Sequence, residues 1–200
     1  LVWSPDGHQL AVVGSDAPEG MVLWQGWLYV LEDGEKPRRI TSDVVKPYLG
    51  FPSVMRPVSI YWTAKGQIIF LGEVSGESYL YQISAQGGDI DVIWGGDCLA
   101  TGLTLDEAAD QAVVVVSSSD SPSDLIQVDI FIGGSIQLSD HNQDYIDDHP
   151  TATLEKFLII RPEIEVECRL YFPPDFDEGS TYPLVLDIHG GPNGAFYDSF

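Results

Sequence analysis

Basic side chains are scarce in this sequence. Its 200 residues hold 9 Lys and Arg against 31 Asp and Glu, for a formal net charge of −22. Neutralising phosphates takes clustered cations, so the composition argues against a nucleic-acid partner. It argues equally against docking on an anionic membrane surface. Cysteine is nearly lacking. Cys98 and Cys168 are too few for a disulfide scaffold and read as two reduced, partly buried thiols, which leans towards a cytoplasmic setting. No apolar run approaches the roughly 20 residues of a membrane span. No secretory leader is visible either. The nucleophile motif Gly-x-Ser-x-Gly is also missing. Gly72-Glu73-Val74-Ser75-Gly76 and Gly133-Gly134-Ser135-Ile136-Gln137 both fail its spacing.

What is present is enough apolar character for a core, 44% of the residues. The acids are scattered, as on a solvated surface, and fit either an ordinary acidic protein or adaptation to high salt. One dense stretch, Asp140-His141-Asn142-Gln143-Asp144-Tyr145-Ile146-Asp147-Asp148-His149, holds oxygen and imidazole ligand types. It lacks calcium-loop spacing, so a solvated loop is preferred and no metal is expected.

Three segments repeat one order of parts: apolar strand, turn, alternating strand, Gly-bearing turn, short strand. Their first strands are Gln9-Leu10-Ala11-Val12-Val13, Gln67-Ile68-Ile69-Phe70-Leu71 and Gln111-Ala112-Val113-Val114-Val115. Their second strands begin at Leu28, Leu80 and Leu125, and their third strands carry Arg39-Ile40-Thr41, Val92-Ile93-Trp94 and Gln137-Leu138-Ser139. Asp33-Gly34, Gly87-Gly88 and Gly133-Gly134 supply turn chemistry between the second and third strands. The second strands start 52 and 45 residues apart, the excess falling in the loop around Lys46-Pro47-Tyr48. Such a period with several strands per unit marks propeller blades. Trp3-Ser4-Pro5-Asp6-Gly7 is the clearest turn before a first strand. Tyr61-Trp62-Thr63-Ala64-Lys65-Gly66 and Leu103-Thr104-Leu105-Asp106-Glu107 are degraded copies. Trp3 and Trp62 are expected to pack between blades. Closed propellers have about 4–8 blades, so further blades are expected upstream of Leu1.

The pattern changes after Asp148-His149-Pro150. Leu154 to Ile160 and Glu165 to Phe172 read as strands, the second placing Val166, Cys168, Leu170 and Phe172 on one face. A Pro- and Gly-containing loop follows. Then comes Tyr182-Pro183-Leu184-Val185-Leu186-Asp187-Ile188, a run suited to a strand buried on both faces of an α/β sheet. His189-Gly190-Gly191-Pro192 stands directly after it. A strand ending in His-Gly-Gly can deliver a backbone N–H to an oxyanion hole, since glycine lets the amide approach the substrate carbonyl. A plain strand-to-loop turn would use the same residues.

The WSPDG turn resembles the blade repeat of TolB-like and prolyl oligopeptidase propellers. Together with YPLVLDIHGGP, the chain resembles the propeller–hydrolase junction of prolyl oligopeptidase family serine peptidases, the acylaminoacyl-peptidase branch above all. The resemblance implies a mainly β chain: residues 1–150 as the C-terminal blades of a β-propeller, residues 151–200 as the first strands of an α/β-hydrolase domain. It implies that Gly191 donates an oxyanion N–H and that Gly190 and His189 shape that loop, His189 not being the catalytic base. It implies a Ser-His-Asp acyl-enzyme mechanism on short peptides or acyl-peptides, with no cofactor. The propeller would restrict entry. The triad residues would follow the HGGP string, so the 200 residues alone are expected to be inactive. His8, His141 and His149 match no catalytic position. A homo-oligomer stays open for the full-length protein. The alternatives are a non-catalytic propeller used as a binding module, and an esterase of the same fold.

Overall fold

The computed structural model describes residues 1–15, 26–42, 46–47, 59–190 and 195–200. Gly191 and Tyr48 lie outside the described residues. Three antiparallel sheets follow one another. The first contains β1 (Val2–Trp3), β2 (Gln9–Gly14), β3 (Trp27–Glu32) and β4 (Arg38–Arg39), in that order. The second contains β5 (Lys46–Pro47), β6 (Ile60–Trp62), β7 (Gln67–Val74), β8 (Glu77–Ser84) and β9 (Ile90–Gly96). Here β5 and β6 share one edge of β7, pairing with its end and its start respectively. The third contains β10 (Leu99–Leu105), β11 (Gln111–Ser117), β12 (Asp124–Asp129) and β13 (Ser135–Gln137), again in chain order. Each sheet therefore has a strand before the three that the repeat reveals. In the sequence those strands hide in what reads as turn.

The turns entering β2, β7 and β11 share one geometry despite their divergent sequences. Ser4 Oγ, Thr63 Oγ1 and Asp106 Oδ1 accept the amides of Gln9, Gln67 and Gln111 at 2.9, 3.2 and 3.0 Å. Gly7, Gly66 and Ala109 close the turns onto the carbonyls of Ser4, Thr63 and Asp106. All three have positive φ, +75°, +76° and +56°.

The packing follows the period-two alternation of strands. Ile68 and Phe70 of β7, with Tyr81 and Ile83 of β8, pack against Ala11, Leu28 and Val30 of the first sheet. The neighbouring residues Ile69, Leu71 and Leu80 face the other way, onto Ala100, Leu103, Ala112, Val114 and Val128 of the third sheet. The unbroken run Ile68-Ile69-Phe70-Leu71 thus belongs to a blade buried on both faces. Trp62 is partly buried against the first of these clusters. Trp3 departs from expectation and is 60% exposed. Alternation on the edge strand β1 turns its neighbour Val2 inward and Trp3 outward.

The acidic stretch after β13 forms one helix, α1 (Gln143–Asp148), where a loop was expected. None of its residues is buried. Contacts at i,i+4 spacing hold the turn: Gln143 donates to Asp147 at 2.7 Å, and the Tyr145 and His149 rings stack at 4.3 Å. A hairpin follows, β14 (Thr153–Arg161) and β15 (Ile164–Phe172), paired from Thr153↔Phe172 to Arg161↔Ile164.

The Tyr182 to Ile188 run forms no strand among the described residues. It pairs with no strand among the described residues, and Leu184, Val185, Leu186 and Ile188 are exposed. A parallel strand takes its hydrogen bonds from neighbours, and every described strand pair is antiparallel. The described residues are mainly β, with no α/β sheet.

Candidate functional site

The hairpin has two unlike faces. Register places Phe157, Ile159, Val166, Cys168, Leu170 and Phe172 together on one, including all four residues predicted to share it. The opposite face carries Lys156 directly across from Arg169. Two cations at paired positions repel unless carboxylates stand between them. Asp198 does this. Its Oδ2 lies 2.5 Å from Lys156 Nζ and its Oδ1 lies 2.8 Å from Arg169 Nη1. Asp198 is 1% exposed. A charge so buried is tolerated only when paired.

The second sheet and the residue after it complete the cluster. Lys156 Nζ also donates to Glu77 Oε1 at 2.9 Å and to the exposed Asp97 Oδ1 at 2.5 Å. Arg169 Nη2 donates to Glu167 at 3.0 Å and to the Ser75 carbonyl at 3.5 Å. Burial opposes the charged form of Lys156, but its bonds to Asp198, Asp97 and Glu77 prevail and raise its pKa. The same lysine bond holds the Asp97 carboxyl below the usual carboxylate range. Glu77 also accepts the Tyr79 hydroxyl at 2.5 Å, which pushes that phenol up to about 12. Carboxylate oxygens of Glu77, Asp97 and Asp198 lie within 4.8 Å of one another, the spacing of a metal ligand set. The Lys156 ammonium bonds all three, so it already supplies the cation there.

Residues 195–200 run past the second and third sheets next to this cluster. The Asp198 amide donates to the Gly76 carbonyl at 3.3 Å, and the Phe200 amide to Ser117 Oγ at 3.0 Å. Tyr197 packs against the core between the second and third sheets. Ser75 and Gly76, both at positive φ, form the two-residue turn between β7 and β8. An added Cβ at Gly76 would overlap the Phe196 carbonyl oxygen and come within 2.7 Å of Arg169 Nη2.

The residues singled out in the sequence stand at the rim of this region. His189 and Gly190 are exposed. The His189 ring meets Phe196 edge-on at 5.6 Å, and its Nδ1 lies 2.9 Å from the Gly190 carbonyl. A pocket of about 270 Å³ is lined by His189, Ser75, Glu167, Arg169, Ala195 and Phe196. A Cβ at Gly190 would meet open space, so no described neighbour explains that glycine. Sequence reasoning missed Lys156, Arg169, Asp198 and Gly76. A signal existed: with only 9 basic residues in the chain, two at opposed positions of one hairpin call for buried acids.

No family model matches the sequence. Over 36 residues it is 44% identical to "Probable dipeptidyl-peptidase 5" of Emericella nidulans, 18% of this chain and 5% of that protein. Over 96% of the chain the fold superposes on an acylaminoacyl peptidase in complex with Z-Gly-Gly-Phe-chloromethyl ketone, with a TM-score of 0.70 and 21% identity. The fold is that of these peptidases. The Pyrococcus horikoshii acylaminoacyl peptidase matches over 97% of the chain with a TM-score of 0.68 and 19% identity. The chain spans only 27% and 28% of the length of those two structures. It thus resembles peptidases of the prolyl oligopeptidase family in fold as well as in motifs.

Proposed function

We propose that the chain is the propeller–hydrolase junction of a serine peptidase acting on short peptides or acyl-peptides. Residues 1–150 are its last propeller blades and residues 151–200 open its hydrolase domain. Gly191 donates an oxyanion N–H, and Gly190 and His189 shape that loop. The Ser, His and Asp of the triad come from sequence beyond these 200 residues. The Ser hydroxyl attacks the peptide carbonyl and passes its proton to the His. The tetrahedral oxyanion collapses, the amine leaves with that proton, and water then releases the acyl group by the same route. One oxyanion donor is typically worth about 10²–10³ in rate. The propeller stands over the site and limits entry to short chains.

One observation carries the reading. The likeness to acylaminoacyl peptidases extends over 96% of the chain, so it takes in the hairpin and the residues beyond it as well as the blades. A propeller alone would serve a binding module equally well. The test is labelling of the full-length protein by a fluorophosphonate, with turnover of acyl-peptide and p-nitrophenyl ester substrates measured alongside. Labelling with preferred acyl-peptide turnover is expected. No labelling would leave the propeller as a binding module. Ester turnover without peptide turnover would make the protein an esterase.

A further inference from the structure

The hairpin β14–β15 meets the second sheet through charged groups. Among the described residues, no hairpin side chain belongs to either apolar cluster that joins the three sheets. Segments without a strand flank the hairpin, residues 149–152 before β14 and 173–190 after β15. Its polar ties to its surroundings run through Lys156 and Arg169. The Lys156 ammonium joins Glu77 of β8, Asp97 just after β9, and Asp198 of the short strap 195–200. Arg169 reaches the same strap at Asp198 and the turn between β7 and β8 at the Ser75 carbonyl. The strap has anchors of its own, Tyr197 in the cluster between the second and third sheets and the Phe200 amide on Ser117 Oγ.

We propose that Lys156 is an ionic clasp that holds the hairpin closed on the second sheet, and that the hairpin swings off that sheet as a unit when the clasp is screened or neutralised, the three sheets staying folded. This goes beyond the peptidase reading and does not rest on it. The balance of charge shows why one lysine decides the outcome. Glu77, Asp97, Asp198 and Glu167 bring four negative charges to the cluster, and Lys156 and Arg169 bring two positive ones. Without Lys156, the carboxylates of Glu77 and Asp97 stand within 4.8 Å of Asp198 with no ammonium between them. Arg169 keeps Asp198 bound to the hairpin. Attraction between hairpin and sheet then turns into repulsion. One arm of the clasp is also open to salt, since the Asp97 side chain is 84% exposed. The hairpin survives the opening because nine residue pairs join β14 to β15. The sheets survive it because their apolar clusters borrow nothing from the hairpin.

The experiment measures one distance in the full-length protein. Nitroxides attached at Glu163→Cys in the hairpin turn and Asp89→Cys between β8 and β9, both exposed positions, report the spacing of hairpin and sheet by double electron–electron resonance. Cys168→Ala removes the partly exposed thiol, and Cys98 is buried. Thermal melting shows whether each variant is folded. Removing one partner of a buried charge pair commonly shifts an equilibrium by about 10² or more. Lys156→Met should therefore show a second, longer distance in at least about half of the molecules, where the parent at low salt shows one. Lys156→Arg keeps the charge and should restore the single distance. A folded Lys156→Met with the parent's distribution overturns the clasp. So does a Lys156→Arg that opens as widely as Lys156→Met, because shape and not charge would then hold the hairpin. Should Lys156→Met lose its cooperative melt, the parent carries the test between 0.05 and about 1 M NaCl, where the screening length falls from over 10 Å to about 3 Å. The longer distance should grow with salt while the sheets stay folded, and a distribution that salt leaves unchanged overturns the proposal.

Discussion

Ala109 occupies a glycine's place, and replacing it should stabilise the protein. In two of the three blade-entry turns the residue at this position is Gly7 or Gly66, with φ of +75° and +76°. In the third it is Ala109, with φ of +56° and the same hydrogen bond back to the carbonyl three residues earlier. An L-residue with a Cβ pays about 1–2 kcal/mol to stand in the left-handed region. Glycine removes that strain but loses about 0.5–1 kcal/mol more backbone entropy on folding. Ala109→Gly should therefore gain about 0.5–1 kcal/mol, or about 1–4 °C in Tm for a chain of this size. Gly66→Ala is the reciprocal change. No atom lies within 4 Å of the added methyl, so its cost is backbone strain without a clash. It should lose about the same 0.5–1 kcal/mol. Urea unfolding of both variants with the slope m held in view gives the two numbers. A neutral or destabilised Ala109→Gly, or a Gly66→Ala as stable as the parent, would refute the claim that the three turns share one backbone.

The remaining expectations concern titration, screening and the core. Burial pushes the Tyr81 phenol from its ordinary 10.0 up to about 12, so its contribution is complete below pH 10 and is lost as pH rises towards 12. Unfolding free energy should fall by about 2–3 kcal/mol over that window. Tyr81→Phe should remove this share of the fall, and an unchanged alkaline slope would sink the assignment. Tyr79, also pushed up to about 12, and the raised Lys156 act in the same direction over an overlapping window, so the Tyr81 share is read as the difference between the parent and Tyr81→Phe. The net charge of −22 predicts a Tm that rises with NaCl, because the screening length shrinks from about 10 Å at 0.1 M to about 3 Å at 1 M. A Tm independent of salt would mean that repulsion is already balanced locally. Phe70→Ala should cost about 3–5 kcal/mol, since the ring is fully buried between two blades and stacks on Tyr81 at 5.6 Å. A loss under about 1 kcal/mol in urea unfolding would contradict that placement.

The repeated antiparallel sheets were legible because their signals are local. Alternation, turn residues and the spacing of Leu28, Leu80 and Leu125 each act over a few residues and agree with one another. The short strands β1 and β6 were not legible, because they are two and three residues long and carry no pattern of their own. They exist as strands only because β2 and β7 offer an edge. Trp3 shows the same limit. A tryptophan usually signals a core, but its direction on an edge strand is set by register, which composition does not contain.

Asp198 was illegible for a stronger reason. Its partners stand 42 and 29 residues away in the chain, and the acids beside it come from a different sheet. No window of sequence joins Glu77, Asp97, Lys156, Arg169 and Asp198. The converse holds for Leu184-Val185-Leu186. There the local signal is as strong as in β7, yet 80–87% of each side chain is exposed and no strand lies beside the run. Ile68-Ile69-Phe70-Leu71 and Leu184-Val185-Leu186 are thus alike as sequence and opposite as structure. The difference is entirely in the neighbours: β7 has a strand on each edge and a sheet on each face, and the later run has neither among the described residues. An apolar run states a demand for two covered faces, and only tertiary structure meets it. The strongest motif in the sequence, His189-Gly190-Gly191, comes directly after the run whose demand is unmet here. Of its described surroundings, Phe196 meets the His189 ring edge-on, and Asp198 is held by charges that the motif itself does not contain.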